Sequence, residues 1–208
     1  MNSYVSDRST RRFADFLLFG VTSLELALLI LQTPTFTLVD WVYVLQHLLV
    51  LTVALRRSPP KVQDTSLGTG VAVFVAYVYS YAQVIYLNWL PGNEVWPAAG
   101  LVLVSLAGAL SLFSLLTLGK MFGVRPALRS LVTRGPYRFV RHPMYLAYVI
   151  GDIGYNLQEW NSGTLVIVMA GWISIVYRIR AEERVLSHDA GWAKYAESVH
   201  YRLLPGLW

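Results

Sequence analysis

Hydrophobic positions run along this chain in long blocks with almost no short-period alternation. Apolar stretches cover about residues 13–32, 36–55, 69–90, 97–119, 144–158 and 163–180, and the fifth is the shortest. A bilayer core needs a helix of about 20 apolar residues, so the pattern predicts an all-α integral membrane helical bundle of about six transmembrane helices. After Arg180 the pattern changes: Leu186, Trp192, Tyr195, Tyr201, Leu203 and Leu204 alternate with charged residues. That alternation predicts a short interfacial helix and a C-terminal tail lying against the bundle.

Charge supports the count. Arg8, Arg11 and Arg12 precede the first block; Arg56, Arg57 and Lys61 follow the second; six basic residues from Lys120 to Arg141 follow the fourth; the rest come at or after Arg178. The alternate connections, 33–35, 91–96 and 158–162, hold no Lys or Arg. Six spans therefore put every basic loop on one side, which the positive-inside rule makes cytoplasmic together with both termini. Pro34, Pro59-Pro60 and Pro91-Gly92 punctuate the span ends, and Trp41, Trp89, Trp96 and Trp160 fall near interfaces. Residues 1–208 read as a single membrane domain, with four spans in 1–119 and a second part, 120–208, that holds the chemistry.

Composition narrows the chemistry. The chain is 55% hydrophobic and 14% charged, against roughly 25% charge in a soluble domain. It has no cysteine, which excludes disulfides, thiolate nucleophiles and Cys-type zinc sites; no metal site is expected. The net charge of +5 sits in short loops and points to membrane lipid headgroups, with no nucleic acid expected. Within the spans lie Glu25, Gln46, His47, Gln83, Asp152 and Asn156. An ionisable group in hydrocarbon costs about 2.5–3.5 kcal/mol on insertion scales, so each should face protein or a wet cavity. Glu25 and His47 read as a pair between the first two spans; for Asp152 cavity lining and burial are both open.

Two polar clusters stand out. The first runs from Arg134 through Gly135-Pro136-Tyr137 to His142-Pro143-Met144-Tyr145. His142 precedes a proline and is kept out of helical geometry, while Pro143 suits the first position of a helix. The fifth span thus starts at Pro143, and the free N–H groups of its first turn favour a carboxylate or phosphate. Tyr137, His142 and Tyr145 offer planar faces for a nucleoside. The second cluster is Arg178, Arg180, Glu182 and Glu183 at the end of the sixth span. Arg178 and Glu182 share a helix face, with Glu183 about 100° round. The plain alternatives are a basic loop at lipid headgroups, involving Arg125, Arg129 and Arg134, and a solvated helix end with an ion pair worth about 0.5 kcal/mol.

Gly135-Pro136-Tyr137-Arg138-Phe139-Val140-Arg141-His142-Pro143-Met144-Tyr145, then Arg178 with Glu182-Glu183-x-x-Leu186, then Trp192-x-x-Tyr195 and Tyr201-Arg202-Leu203-Leu204-Pro205 closely resemble the isoprenylcysteine carboxyl methyltransferase and phospholipid methyltransferase superfamily. The resemblance covers about residues 115–208. It implies methyl transfer from S-adenosyl-L-methionine at the cytoplasmic face to a hydrophobic or lipid-like acceptor entering from the bilayer. It further implies that Leu131, Val132, Tyr137, His142, Pro143, Met144 and Tyr145 line the cofactor and that Glu182, with Glu183 beside it, meets the cofactor's polar end. Arg178 and Arg202 match positions close to the acceptor headgroup, where catalysis occurs. The Gly-rich strand-to-helix turn of soluble methyltransferases is absent. Membrane sterol reductases, which use NADPH, look similar in the same region; Met144 and the glutamate pair favour methyl transfer. A non-catalytic scaffold would leave the paired clusters unexplained.

Overall fold

The computed structural model describes residues 38–204, Gly206, Trp208 and scattered helical positions between 19 and 31. The first expected span and Glu25, with its expected pairing to His47, therefore lie largely outside the described residues. The described elements are α1 (Leu38–Arg56), β1 (Val62–Gln63), α2 (Leu67–Trp89), α3 (Pro97–Leu118), β2 (Ala127–Leu128), α4 (Pro143–Gln158), α5 (Ser162–Leu186) and α6 (Trp192–Ser198). Two 3-10 turns, Gly119–Met121 and Gly135–Arg138, shape the long connection between α3 and α4.

Among these helices, three are long and apolar enough to cross a membrane: Leu67–Leu87, Pro97–Met121 and Ser162–Leu186. The chain is thus an integral membrane protein by the length and composition of its helices. The six-span expectation leans on two further helices that are shorter. The apolar stretch Trp41–Arg56 is one. The other is α4, with 16 residues, which rises about 24 Å against a hydrocarbon core of about 30 Å.

The helices run alternately up and down, and their loops sort onto two ends. At one end Ser58 N–H donates to the Lys120 carbonyl (2.9 Å) and Lys61 N–H to the Leu128 carbonyl (2.7 Å). β1 pairs antiparallel with β2 in the register Val62 with Leu128 and Gln63 with Ala127. At the other end Asn93 and Trp160 exchange backbone bonds of 2.9 and 2.8 Å, and Gly92 N–H donates to Glu159 at 2.8 Å. The basic loops after α1 and α3 share the first end. The uncharged-to-acidic loops share the second.

Local chemistry sets the helix limits. Ser66 caps α2, accepting from Thr69 N–H, and Pro97 and Pro143 stand in the first turns of α3 and α4. α5 outruns its apolar stretch, and it carries Arg178 and Glu182 on the helix as the sequence led us to expect. The apolar run ends near residue 180, yet α5 continues to Leu186, because Ile179, Ala181 and Val185 are fully buried and packing extends the helix beyond the apolar stretch. Glu182 and Glu183 are consequently held on a rigid helix. Close crossings lock the bundle: a Cβ on Gly154 would sit 2.8 Å from Leu103 Cβ and 2.9 Å from the Gly100 carbonyl, and one on Gly171 would enter the Tyr79 ring at 2.5 Å. Backbone approach of this kind needs residues without side chains.

Candidate functional site

The site forms where the loop before α4, the last turns of α5 and the C-terminal tail converge. Gly135 takes φ +58°, a value that favours glycine, and turns the chain so that Pro136 and Tyr137 are buried. Tyr195 on α6 donates its hydroxyl proton to the Tyr137 carbonyl at 2.8 Å. The tail then lies alongside the motif: Arg141 N–H donates to the Tyr201 carbonyl and His142 N–H to the Arg202 carbonyl, both at 2.9 Å.

The two adjacent carboxylates point to different neighbours. Glu183 faces the tail. It accepts from Arg141 Nε at 2.8 Å and from Arg202 Nε at 2.8 Å, with His142 Nε2 at 3.4 Å. Arg141 is further held by the carbonyls of Val199 (2.9 Å) and His200 (3.2 Å), and the Arg202 guanidinium lies 5.1 Å from the Trp208 ring. Glu182 faces inward. It accepts from the Tyr145 hydroxyl and stands 3.6 Å from His142 Nδ1, its side chain a quarter exposed. The His142 ring therefore sits between both carboxylates. Burial alone would push its pKa down, but hydrogen bonds and negative charge from Glu182 and Glu183 hold it above the ordinary histidine value. Burial raises Tyr137 well above an ordinary tyrosine, aided by the charge of Glu182. The same effect, partly offset by Arg141, brings Tyr195 to about 12.

Arg178 lies one turn from Glu182 toward the bundle interior. It is buried, donates to the Val124 carbonyl at 3.0 Å, and stacks 5.2 Å from the Tyr145 ring centre. Its Nε has no hydrogen-bond partner among the described residues. Inside this shell is one continuous cavity of about 910 Å³, large enough for a cofactor and part of a second ligand. Of the residues expected at the site, Leu131, Val132, Tyr137, His142, Met144, Tyr145, Arg178 and Glu182 line it together. Pro143, Glu183 and Arg202 are outside that lining: Pro143 is fully buried at the start of α4, and Glu183 and Arg202 bond each other.

The expectation of headgroup arginines changes for two of three. Arg129 is buried and donates to the Ser58 carbonyl at 2.7 Å, and Arg125 donates to the Ser66 carbonyl at 3.2 Å; both tie the basic loops to one another. Arg134 is exposed. Two residues carry more than sequence reasoning assigned them. Arg141 anchors the tail, a role that its place inside the Arg-His-Pro motif left unspecified. Asp152, left open from sequence, is buried and lines the cavity, accepting from Trp172 Nε1 at 2.8 Å and the Tyr79 hydroxyl at 3.2 Å.

Residues 99–188, which contain the loop, α4 and the glutamate pair, match the model of the isoprenylcysteine carboxyl methyltransferase (ICMT) family. This stretch is similar to that family. Two relatives are similar to this chain. Protein-S-isoprenylcysteine O-methyltransferase B of Arabidopsis thaliana is 24% identical over 137 residues, 62% of this chain and 70% of the relative. The nickel-cobalt-cadmium resistance protein NccN of Alcaligenes xylosoxydans xylosoxydans is 29% identical over 105 residues, 47% of this chain. The chain spans only 46% of the latter's length. The ICMT stretch of this chain begins at the start of α3, so α1 and α2 lie outside it.

Proposed function

We propose that this ICMT-type chain is an S-adenosylmethionine-dependent methyltransferase acting on a lipid-like acceptor at the basic-loop end of a six-span bundle, the end we assign to the cytoplasm. The observation that carries the proposal is the single cavity that joins the inward-facing Glu182, His142 and Tyr145 to the interior of the bundle.

The residues fit such a cofactor. Glu182 keeps a quarter of its side chain open and suits an ammonium group or a ribose diol, while the Tyr137, His142 and Tyr145 rings supply planar surfaces. S-adenosylmethionine brings a sulfonium-bound methyl group, and its transfer to an oxygen or nitrogen of the acceptor breaks the carbon–sulfur bond and leaves a neutral thioether. The chain's own work is then alignment and exclusion of water. Tyr145 holds Glu182 in place; Glu183, through Arg141 and Arg202, keeps the tail closed over His142. Arg178 remains the cation for the acceptor, because its guanidinium retains an unpartnered Nε one turn deeper than Glu182 and can grip a carboxylate or phosphate. A carboxylate acceptor, such as the ICMT family's description names, attacks without a general base. An amine acceptor has to lose a proton first.

The test is calorimetry on detergent-purified protein. S-adenosylhomocysteine should bind and NADPH should not. NADPH binding without S-adenosylhomocysteine binding would assign the site to a reductase, and binding of neither would leave a scaffold.

A further inference from the structure

The cavity extends well past the proposed cofactor end, and several polar side chains stand among the apolar residues of its far half. Five buried side-chain polar atoms lack a hydrogen-bond partner among the described residues: Gln46 Oε1, Tyr81 hydroxyl, Gln83 Nε2, Ser111 Oγ and Arg178 Nε. All five belong to residues that line this one cavity. In folded proteins nine or more of every ten buried polar groups are satisfied. A concentration of unsatisfied groups around one cavity therefore marks a surface completed by what fills that cavity, water or a polar ligand. Gln83 and Ser111 are each only 3% exposed, so bulk water does not compensate them.

Asp152 lies at the centre of this region. Its two hydrogen bonds, from Trp172 and Tyr79, both fall on Oδ2, and Oδ1 accepts neither. Gln83, whose Nε2 lacks a partner among the described residues, is one turn beyond Tyr79 on the same face of α2, and it lines the same cavity as Asp152, a carboxylate with spare acceptor capacity. A hydrocarbon chain satisfies neither group, and an ammonium satisfies only the carboxylate. A hydroxyl, which donates and accepts at once, satisfies both. The depth follows from the helices. Tyr145 to Asp152 is seven residues along α4, and Arg178, the cation assigned to the acceptor, is six residues from Trp172 along α5, which is about 10 and about 9 Å of rise.

We propose that the deep half of the cavity is a second binding subsite, lined by Asp152, Gln83 and Tyr79 with Trp172 holding Asp152 from behind, for a hydroxyl group carried on the acceptor's chain about 10 Å from the group that is methylated. The inference rests on the methyltransferase reading for what occupies the shallow half. It narrows the acceptor from any apolar amphiphile to one with a second polar function partway along its chain.

Binding of dodecanoate, and of the same chain with a hydroxyl or an amino group on its tenth carbon, can be measured by calorimetry on the full chain in lipid nanodiscs. The hydroxylated probe should bind at least tenfold tighter than dodecanoate, equivalent to about 1.4 kcal/mol. Gln83→Leu and Asp152→Asn should each remove that preference while leaving dodecanoate affinity unchanged, with thermal midpoints confirming that both variants fold. Equal affinity for hydroxylated and plain chains would mean that water alone fills the chamber and would overturn the proposal. A preference for the amino probe over the hydroxyl would overturn the choice of ligand. S-adenosylhomocysteine titrated into the same preparations separates the two readings. If it binds and the hydroxyl preference is missing, the subsite fails alone; if it does not bind and the preference persists, the methyltransferase reading fails and the subsite stands.

Discussion

Glu183→Gln isolates the clasp from the cofactor pocket, although Glu182 and Glu183 are neighbours in sequence. The Glu183 side chain is 13% exposed and receives bonds from Arg141 and Arg202 at 2.8 Å each. A glutamine retains one carbonyl acceptor but no charge. Arg141 still has the carbonyls of Val199 and His200, so the loss falls mainly on Arg202 and on the pairing of the tail with the motif. Losing a charged hydrogen bond costs about 1.5–3 kcal/mol. Arg202 is a third exposed, and solvent screening places the cost toward the lower end. A local opening free energy reduced by about 1.5 kcal/mol raises the open population roughly tenfold. Hydrogen exchange reads it directly, because the Arg141 and His142 amides bond the tail carbonyls of Tyr201 and Arg202. Both amides should exchange about tenfold faster in Glu183→Gln, while α3 is unchanged. Glu182→Gln should do the opposite: it should leave these amides protected and weaken S-adenosylhomocysteine binding by about 1.5–3 kcal/mol. If Glu182→Gln frees the tail and Glu183→Gln does not, the division of labour between the two carboxylates is refuted.

Arg178→Ala is expected to lower turnover at least tenfold, about 1.4 kcal/mol in the transition state, with little change in cofactor affinity, whereas His142→Ala should loosen S-adenosylhomocysteine first. Calorimetry and initial rates distinguish the two, and the reverse pattern would exchange their roles. A pH effect follows from His142, whose folded pKa is raised. Its stabilising interaction with the glutamates is fully present below the unfolded value of about 6.5 and is lost as pH rises through the higher folded value. The difference in thermal midpoint between the wild type and His142→Gln should therefore shrink as pH rises above neutrality; a difference that grows would contradict the assignment. The chain has no cysteine, so single cysteines at Asn93, Ser130 and Ser162 report topology. A membrane-impermeant reagent on whole cells should label 93 and 162 and spare 130, and the converse would invert the bundle.

Much of the bundle was legible because its causes are local. A helix must be long and apolar to cross a bilayer, so apolar run lengths located α2, α3 and the start of α5 to within a few residues. Pro143 and its effect on His142 placed the start of α4, since proline stereochemistry acts on the adjoining residue. The charge alternation among loops anticipated which connections share an end, and the β1–β2 pairing brings the basic ones together. The end of α5 was not legible. Its last turn is apolar only on the face that Ile179 and Val185 bury, and hydropathy averaged along the chain does not register that face.

The sequence by itself determined that the chain is an apolar helical bundle, that its basic residues gather at one end, and that Gly-Pro-Tyr, Arg-His-Pro and the glutamate pair belong to one chemical centre. Only the tertiary structure decided which glutamate faces the cavity and which holds the tail. The two stand about 100° apart on the helix, and the rotation of α5 about its own axis is set by packing, through the crossing of Gly171 with Tyr79 and the burial of Ile175 and Ile179 against Tyr145. The same packing brings Asp152 and Gln83 to one chamber from two helices, with Trp172 of a third bonded to Asp152. Their spacing along the chain carries no trace of that meeting, because it depends on where helices cross.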